Sequence, residues 1–277
     1  MALNSINTNT GAMIALQNLN VTNTGLSVTQ NRINTGLKVA SAKDNGAIWA
    51  IAQNSRSNIT ALDSVKDSLQ RGQSTVDVAI SAGETVSDLL NQMKAKALAA
   101  ADTSLDATAR TAMNDDFKAL RNQIAKTVAS ASFNGTNLIK TAAGALYSLA
   151  DSTGASKITV AGQAMALGGG ALALISATAS FSTAATASAM VGNLTTAITN
   201  VNAAVANLGT GSKALQTHLD FVSKLQDTMT AGVGNLVDAD VAKESATLQA
   251  LQTKQQLGIQ ALSIANSSPS AMLSLFR

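Results

Sequence analysis

The 277-residue chain has no cysteine, so neither disulfides nor thiolate metal ligands can hold its fold. Proline occurs once, at Pro269, and aromatic residues make up 3% of the chain. The abundant residues are Ala, Leu, Val, Ser, Thr, Asn and Gln, which suit helix–helix seams better than a bulky globular core. Charge is missing in blocks: residues 1–31, 158–212 and 255–276 contain no Asp, Glu, Lys or Arg. Each block is too rich in amides, hydroxyls or glycine to read as a membrane span, which needs about 20 consecutive apolar residues. No basic segment followed by an apolar one opens the sequence, so a cleaved secretory signal is not expected. The net charge is only +3 and no basic stripe with stacking aromatics exists, which argues against nucleic acid.

What is present is a long heptad. Steps of seven from Leu194 give Val201, Leu208, Leu215, Val222, Met229 and Leu236, every one apolar. A companion row four residues on reads Ile198, Val205, Ser212, Leu219, Gln226 and Val233. Such a repeat keeps one stripe of a helix facing partner helices, over a length of roughly 65 Å at about 1.5 Å per residue. The pattern predicts an elongated protein with a helical spine.

Taken in order, residues 2 to about 32 carry Leu3, Ile6, Met13, Leu16, Leu19, Leu26 and Ile33 at helical intervals, with amides and hydroxyls between them. A helix without Lys or Glu on its wet face is suited to burial inside an assembly, because no charge need be desolvated. Residues 33–56 read as a connector around Asn45-Gly46 and the single Trp49. A second long helix is expected over 57–101, with Leu62, Leu69 and Val76 at sevens, and a third over 105–131. Phe133-Asn134-Gly135-Thr136 is a turn. Glycine then punctuates residues 138–184, which predicts a small β-hairpin or loop insert. The rod follows from about Thr186. A last helix bears Val241, Leu248, Leu251, Leu257, Leu262 and Ile264, stops near Pro269, and leaves an apolar tail with Leu273 and Phe276.

Chemical sites are weak. Gly209-Thr210-Gly211 matches a loose dinucleotide spacing but lies within the rod, without the preceding strand that motif requires. His218, the only histidine, sits on the rod's flank. The Asp115-Asp116 pair and the Asp238, Asp240, Glu244 group lack a calcium loop's glycine and alternating oxygens. No catalytic residue, metal site or cofactor is indicated.

The ends carry a resemblance. Ser5-Ile-Asn-Thr-Asn9, Gln30-Asn-Arg-Ile-Asn-Thr-Gly-Leu-Lys-Val-Ala-Ser-Ala-Lys-Asp-Asn45 and Phe133-Asn-Gly-Thr136 resemble the N-terminal region of bacterial flagellins. Asp238-Ala-Asp-Val-Ala-Lys-Glu-Ser245, Gln255-Gln-Leu-Gly258 and Ala261-Leu-Ser-Ile-Ala-Asn266 resemble their C-terminal region. The resemblance implies a mainly α fold, with long coiled-coil helices from the two termini packed together. Residues 1–42 plus 237–277 would form inner-core helices, 43–140 plus 186–236 a charged helical rod domain, and 141–185 a small variable insert. The implied role is that of a structural subunit, a helical homopolymer of the extracellular flagellar filament used for swimming. A hook–filament junction protein with the same terminal motifs is the alternative. Type III export, an export chaperone, the filament cap and hook-junction proteins are implied with the family, without membrane insertion. Inter-subunit and core packing would fall on Leu3, Ile6, Met13, Leu16, Leu19, Leu26, Ile33, Val241, Leu248, Leu251, Leu262, Leu273 and Phe276. O-linked sugars, common in the family, have Thr178, Ser180, Ser182 and Thr183 as candidates here.

Overall fold

A computed structural model describes the backbone of residues 8–273 and the side chains of residues 8–267. Leu3, Ile6 and Phe276, and the side chain of Leu273, lie outside the described residues. The element order is α1 (Thr10–Thr35), α2 (Gly46–Ala100), α3 (Ala107–Ser130), β1 (Leu146–Leu149), β2 (Lys157–Val160), a 3-10 turn at Gly170–Leu172, α4 (Ala184–Val237) and α5 (Val241–Leu273). The fold is mainly α, with one two-stranded sheet at mid-chain. Asn58–Asp227 forms one compact unit; the described residues up to Ser57 and from Thr228 onward form another.

The Asn58–Asp227 unit is built on two interleaved heptads. On α2, Leu62, Leu69, Val76, Leu90 and Ala97 fall seven or fourteen residues apart and are buried. Val65, Ala79, Val86, Met93 and Ala100 supply the second row. On α4, Leu194, Val201, Leu208, Leu215 and Val222 are buried. Their companions lie three residues on, at Ala197 and Ala204, rather than four on at Ile198 and Val205, which are half-buried. Small side chains at the companion positions let the elements approach closely. Polar cross-links join the two helices at the edges of the seam: Ser87 Oγ to Asn202 at 2.9 Å, Ser212 Oγ to Asp77 at 3.3 Å and Gln226 Nε2 to Asp63 at 2.7 Å. Beyond this unit the heptad drifts. Met229 is half-buried and Leu236 is 39% exposed, while Val233 and Val237 take the buried steps. A straight helix turns about 3.6 residues per turn, so a strict seven-residue row slides off its stripe.

Helix α3 starts where Asp106 accepts the Ala109 N–H at 2.6 Å, and it buries Phe117, Ile124 and Val128. Arg110 closes the end of α2, donating to the carbonyls of Ala100, Asp102 and Leu105. The Ala100 carbonyl is one that the end of the helix leaves without an intrahelical partner. Phe133 and Thr136 exchange both backbone hydrogen bonds across Asn134 and Gly135, whose φ angles of 47° and 77° mark a two-residue hairpin turn.

The mid-chain insert is a hairpin followed by a strap. β1 and β2 pair antiparallel, Leu146 opposite Val160 and Leu149 opposite Lys157. Each strand is seated on a helix glycine: a Cβ at Gly72 of α2 would collide with Ser148 Oγ, and one at Gly211 of α4 would lie 2.6 Å from Val160 Cγ1. Ser68 Oγ accepts the Leu149 N–H, and His218 Nε2 lies 2.7 Å from the Ala150 carbonyl. Because a carbonyl only accepts, His218 presents an Nε2–H there. Gly211 thus belongs to a packing contact rather than a nucleotide loop. Downstream of the hairpin, Gly170 has φ 54° and opens the 3-10 turn. The strap then crosses α3, where Asn114 Oδ1 accepts the Phe181 N–H, Arg121 donates to the Ala179 carbonyl, and Phe117 and Phe181 meet edge to face at 5.1 Å.

Candidate functional site

The terminal pair, α1 and α5, holds the residues with the most distinctive chemistry. Its helices run antiparallel. Asn9 Nδ2 donates to the Ala265 carbonyl at 2.7 Å, Gln255 Nε2 to Asn23 Oδ1 at 2.7 Å, and Arg32 pairs with Glu244 at 3.1 Å. Leu37 and Asp238 form a bridge beyond the helix ends. Arg32 lies in the last turn of α1 and Glu244 in the first turn of α5, each where the helix dipole favours its sign. Asn9 serves two helices at once: its Oδ1 caps α1 by accepting the Ala12 N–H at 3.0 Å. Its Nδ2 meets a carbonyl that α5 cannot use, since Pro269, four residues after Ala265, has no N–H. Helix α5 therefore continues through the proline to Leu273 instead of stopping near it.

The inward stripe of α1 is Ala12, Ala15, Leu19, Thr22, Leu26, Thr29 and Ile33, each buried or half-buried. On α5 it is Glu244, Leu248, Leu251, Gln255, Gly258, Leu262 and Ala265, all half-buried. A Cβ at Gly25 would sit 3.6 Å from Leu251, and one at Gly258 would sit 3.3 Å from Leu19. Leu19, Leu26, Ile33, Leu248, Leu251 and Leu262 therefore lie on the intramolecular seam.

Met13, Leu16 and Val241 do not. They are 64%, 48% and 49% exposed, although their sequence spacing groups them with the seam. Ile14, Val21 and Val28 join them on the open face of α1; Leu257, Ile259 and Ile264 are exposed on α5. Ile14, Val21 and Val28 form a second row at sevens that a reading of the first row passes over. The available signal was that both helices are apolar on two faces, where a surface helix ordinarily has one. No charged side chain occurs in residues 1–31 or 255–276 to solvate those second faces. The open face of α1 is thus a contiguous apolar patch rimmed by the amides of Gln17 and Asn20.

The remaining candidate positions are dispersed. Thr178, Ser180, Ser182 and Thr183 are all exposed on the strap. The Thr183 hydroxyl caps α4 by accepting the Thr186 N–H at 3.2 Å, and Thr178 Oγ1 lies 3.3 Å from Ser176 Oγ. Asp44, Asp102 and Asp151 hold their carboxyls below the usual range. Ser41 N–H and hydroxyl do this for Asp44, Ser104 N–H and hydroxyl for Asp102, and the Thr153 hydroxyl first for Asp151, followed by backbone amides. These carboxylates cap their local turns by accepting nearby N–H and hydroxyl groups. Among the described residues no group of three or more His, Asp and Glu side chains is placed to hold a metal ion. Nor is any helix among them long and apolar enough to cross a membrane.

Residues 6–143 match the bacterial flagellin N-terminal helical region, and residues 191–276 match the bacterial flagellin C-terminal helical region. Flagellin FljN of Caulobacter vibrioides is 58% identical over 277 residues, with all of both chains covered. A flagellin of Brucella melitensis biotype 1 is 38% identical over 284 residues, covering 99% of each chain. Flagellin C of Rhizobium meliloti is 34% identical over 323 residues, covering 99% of this chain and all of that one. With antiparallel terminal helices whose second faces stand open, and both family regions matched in order, this chain belongs to the bacterial flagellins, the structural subunits that polymerise into the extracellular flagellar filament.

Proposed function

We propose that residues 1–42 with 237–277 form the inner core of the filament and carry the contacts between subunits. The observation behind this reading is the pair of open apolar faces: Met13, Ile14, Leu16 and Val21 on α1, and Val241, Leu257, Ile259 and Ile264 on α5. Covering them with further copies removes apolar area from water, and within residues 1–31 and 255–276 it desolvates no charge. Residues 43–140 with 186–236 act as the charged helical domain around that core, and 141–185 as a short outer insert. The role is structural, with no catalytic step. Before assembly, the same faces suit an export chaperone, and at the filament ends they suit the cap and hook-junction proteins. For sugar attachment, Ser180 and Ser182 are favoured over Thr183 and Thr178, whose hydroxyls are engaged locally. An intact mass equal to the sequence mass would remove that assignment.

Limited tryptic digestion of monomer and polymer, read by mass spectrometry, tests the core assignment. Arg32, Lys38, Lys43, Lys243 and Lys254 bracket the charge-free ends and report on them. Rapid cleavage at these positions in the monomer and protection in the polymer is the expected result. Equal protection in both forms would show a self-sufficient terminal pair, and would overturn it.

A further inference from the structure

Six of the chain's methionines lie among the residues whose side chains are described, and they differ sharply in access. Met93 and Met165 are fully buried, and Met113, Met190 and Met229 are half-buried. Met13 is 64% exposed, in the middle of the open apolar face of α1 between Thr10, Ile14 and Gln17. Thioether oxidation follows access, and it turns a flexible apolar side chain into a polar, chiral one. At a buried position that change disrupts packing; on a solvated surface it is tolerated.

We infer that Met13 is a peroxide-sensitive modification site whose oxidation stops the subunit from adding to a filament. This rests on the assembly face proposed above. The sulfur lone pair attacks one oxygen of a hydroperoxide and the O–O bond breaks. The thioether becomes a sulfoxide, and the peroxide leaves as water or an alcohol. Two electrons pass from sulfur to the peroxide, and no other reactant is needed. In the unassembled subunit the sulfoxide oxygen faces water. In the polymer it is enclosed among apolar side chains such as Ile14, Leu16 and Val21, on a helix whose backbone N–H groups are committed to the helix itself. Incorporated subunits have Met13 covered and resist the same oxidant. The thioether is restored by methionine sulfoxide reductase with a thiol reductant.

The experiment treats full-length soluble subunit with hydrogen peroxide and follows oxygen addition at each methionine by peptide mass spectrometry. Treated subunit is then offered to preformed filament seeds. Met13 is expected to gain one oxygen before Met113, Met190 and Met229. Filament extension should fall by roughly tenfold, the effect of leaving one polar group buried without a partner. A Met13→Leu subunit should extend after the same peroxide treatment at its own untreated rate, and reductase treatment of oxidised wild type should restore extension. Three results would overturn the inference: Met13 reacting no faster than the half-buried methionines, oxidised wild type extending at the untreated rate, or Met13→Leu losing extension to the same degree. Because each subunit is scored against its own untreated rate, a leucine variant that assembles slowly still decides the matter; absence of reductase rescue in wild type would also overturn it. Failure of the parent reading has a separate signature: untreated Leu16→Asp subunits that extend filaments normally.

Discussion

Replacing Leu16 by aspartate tests the open face of α1 most directly. Leu16 is 48% exposed in the subunit, so about half of its apolar area remains to be buried on assembly. Complete burial of a leucine contributes about 1.5–3 kcal/mol, so losing the uncovered half costs about 1 kcal/mol at each addition. The new carboxylate costs more. Residues 1–31 and 255–276 contain no cation to pair with it, and enclosing an unpaired charge costs several kcal/mol even when the group escapes by taking up a proton. Together these give about 4 kcal/mol, which raises the critical concentration for seeded polymerisation roughly a thousandfold. Sedimentation of seeded samples over a range of subunit concentrations measures it. Leu16→Asn separates the two contributions, with an expected cost of about 2 kcal/mol or a factor of about thirty. Leu16 lies outside Asn58–Asp227, so the thermal transition of that unit should not move. If Leu16→Asp polymerised at the wild-type critical concentration, the face would not be enclosed in the filament, and the energetic argument would be wrong.

Two helix glycines should respond to alanine with opposite signs. At Gly211 the new Cβ meets Val160, and overpacking of about 1–3 kcal/mol outweighs the gain of up to about 1 kcal/mol in helix propensity. At Gly209, where nothing lies within 4 Å, only the gain remains. Urea unfolding of both variants measures the difference, and equal shifts would mean that β2 is not seated on α4 as described. The turn after β1 should sense acid through Asp151, whose carboxyl is held below its ordinary value of 3.8 chiefly by the Thr153 hydroxyl. A lowered pKa means that the native state binds fewer protons, so this contribution is complete above about 3.8 and is lost as pH falls through the lower folded value. Amide shifts of Thr153 and Ser156 should stay constant from neutral pH down to that region and move only below it; a transition centred higher would refute the assignment.

How much was legible in the sequence depended on the size of the side chains at each seam. On α4, Leu194 to Val222 reads directly as a buried row, because large apolar residues recur at sevens. The second row could not be read the same way, since its members Ala197, Ala204 and Gly211 are selected for closeness rather than for hydrophobicity. Helix α2 was expected from residue 57 but starts at Gly46. Asn45-Gly46 looks like a turn, yet Asn45 acts as a cap, its Oδ1 accepting the Ile48 N–H at 3.1 Å. The same two residue types do form a turn at Asn134-Gly135, where both φ angles are positive. Local composition does not separate these outcomes; the helix available downstream does. On α1, Met13 and Leu16 sit one residue beyond the inward positions Ala12 and Ala15, a rotation of about 100°. Intervals of three and four alone place both sets on a helix without saying which set meets α5 and which stays open.

The hydrogen bond from Asn9 to the Ala265 carbonyl joins positions 256 residues apart. Because Pro269 withholds the N–H that would otherwise serve that carbonyl, the finish of the last helix is supplied by the residue that begins the first. Neither end of the pair is then a separate piece of structure. A nick that removes Asn9 leaves α1 without its cap and α5 with an idle acceptor, and loss of the segment around Ala265 frees the Asn9 amide. A chain threaded through a narrow passage from one end cannot close this stitch until nearly all of it has come through. The sequence thereby ties the closing of the α1–α5 pair to the delivery of its last helix.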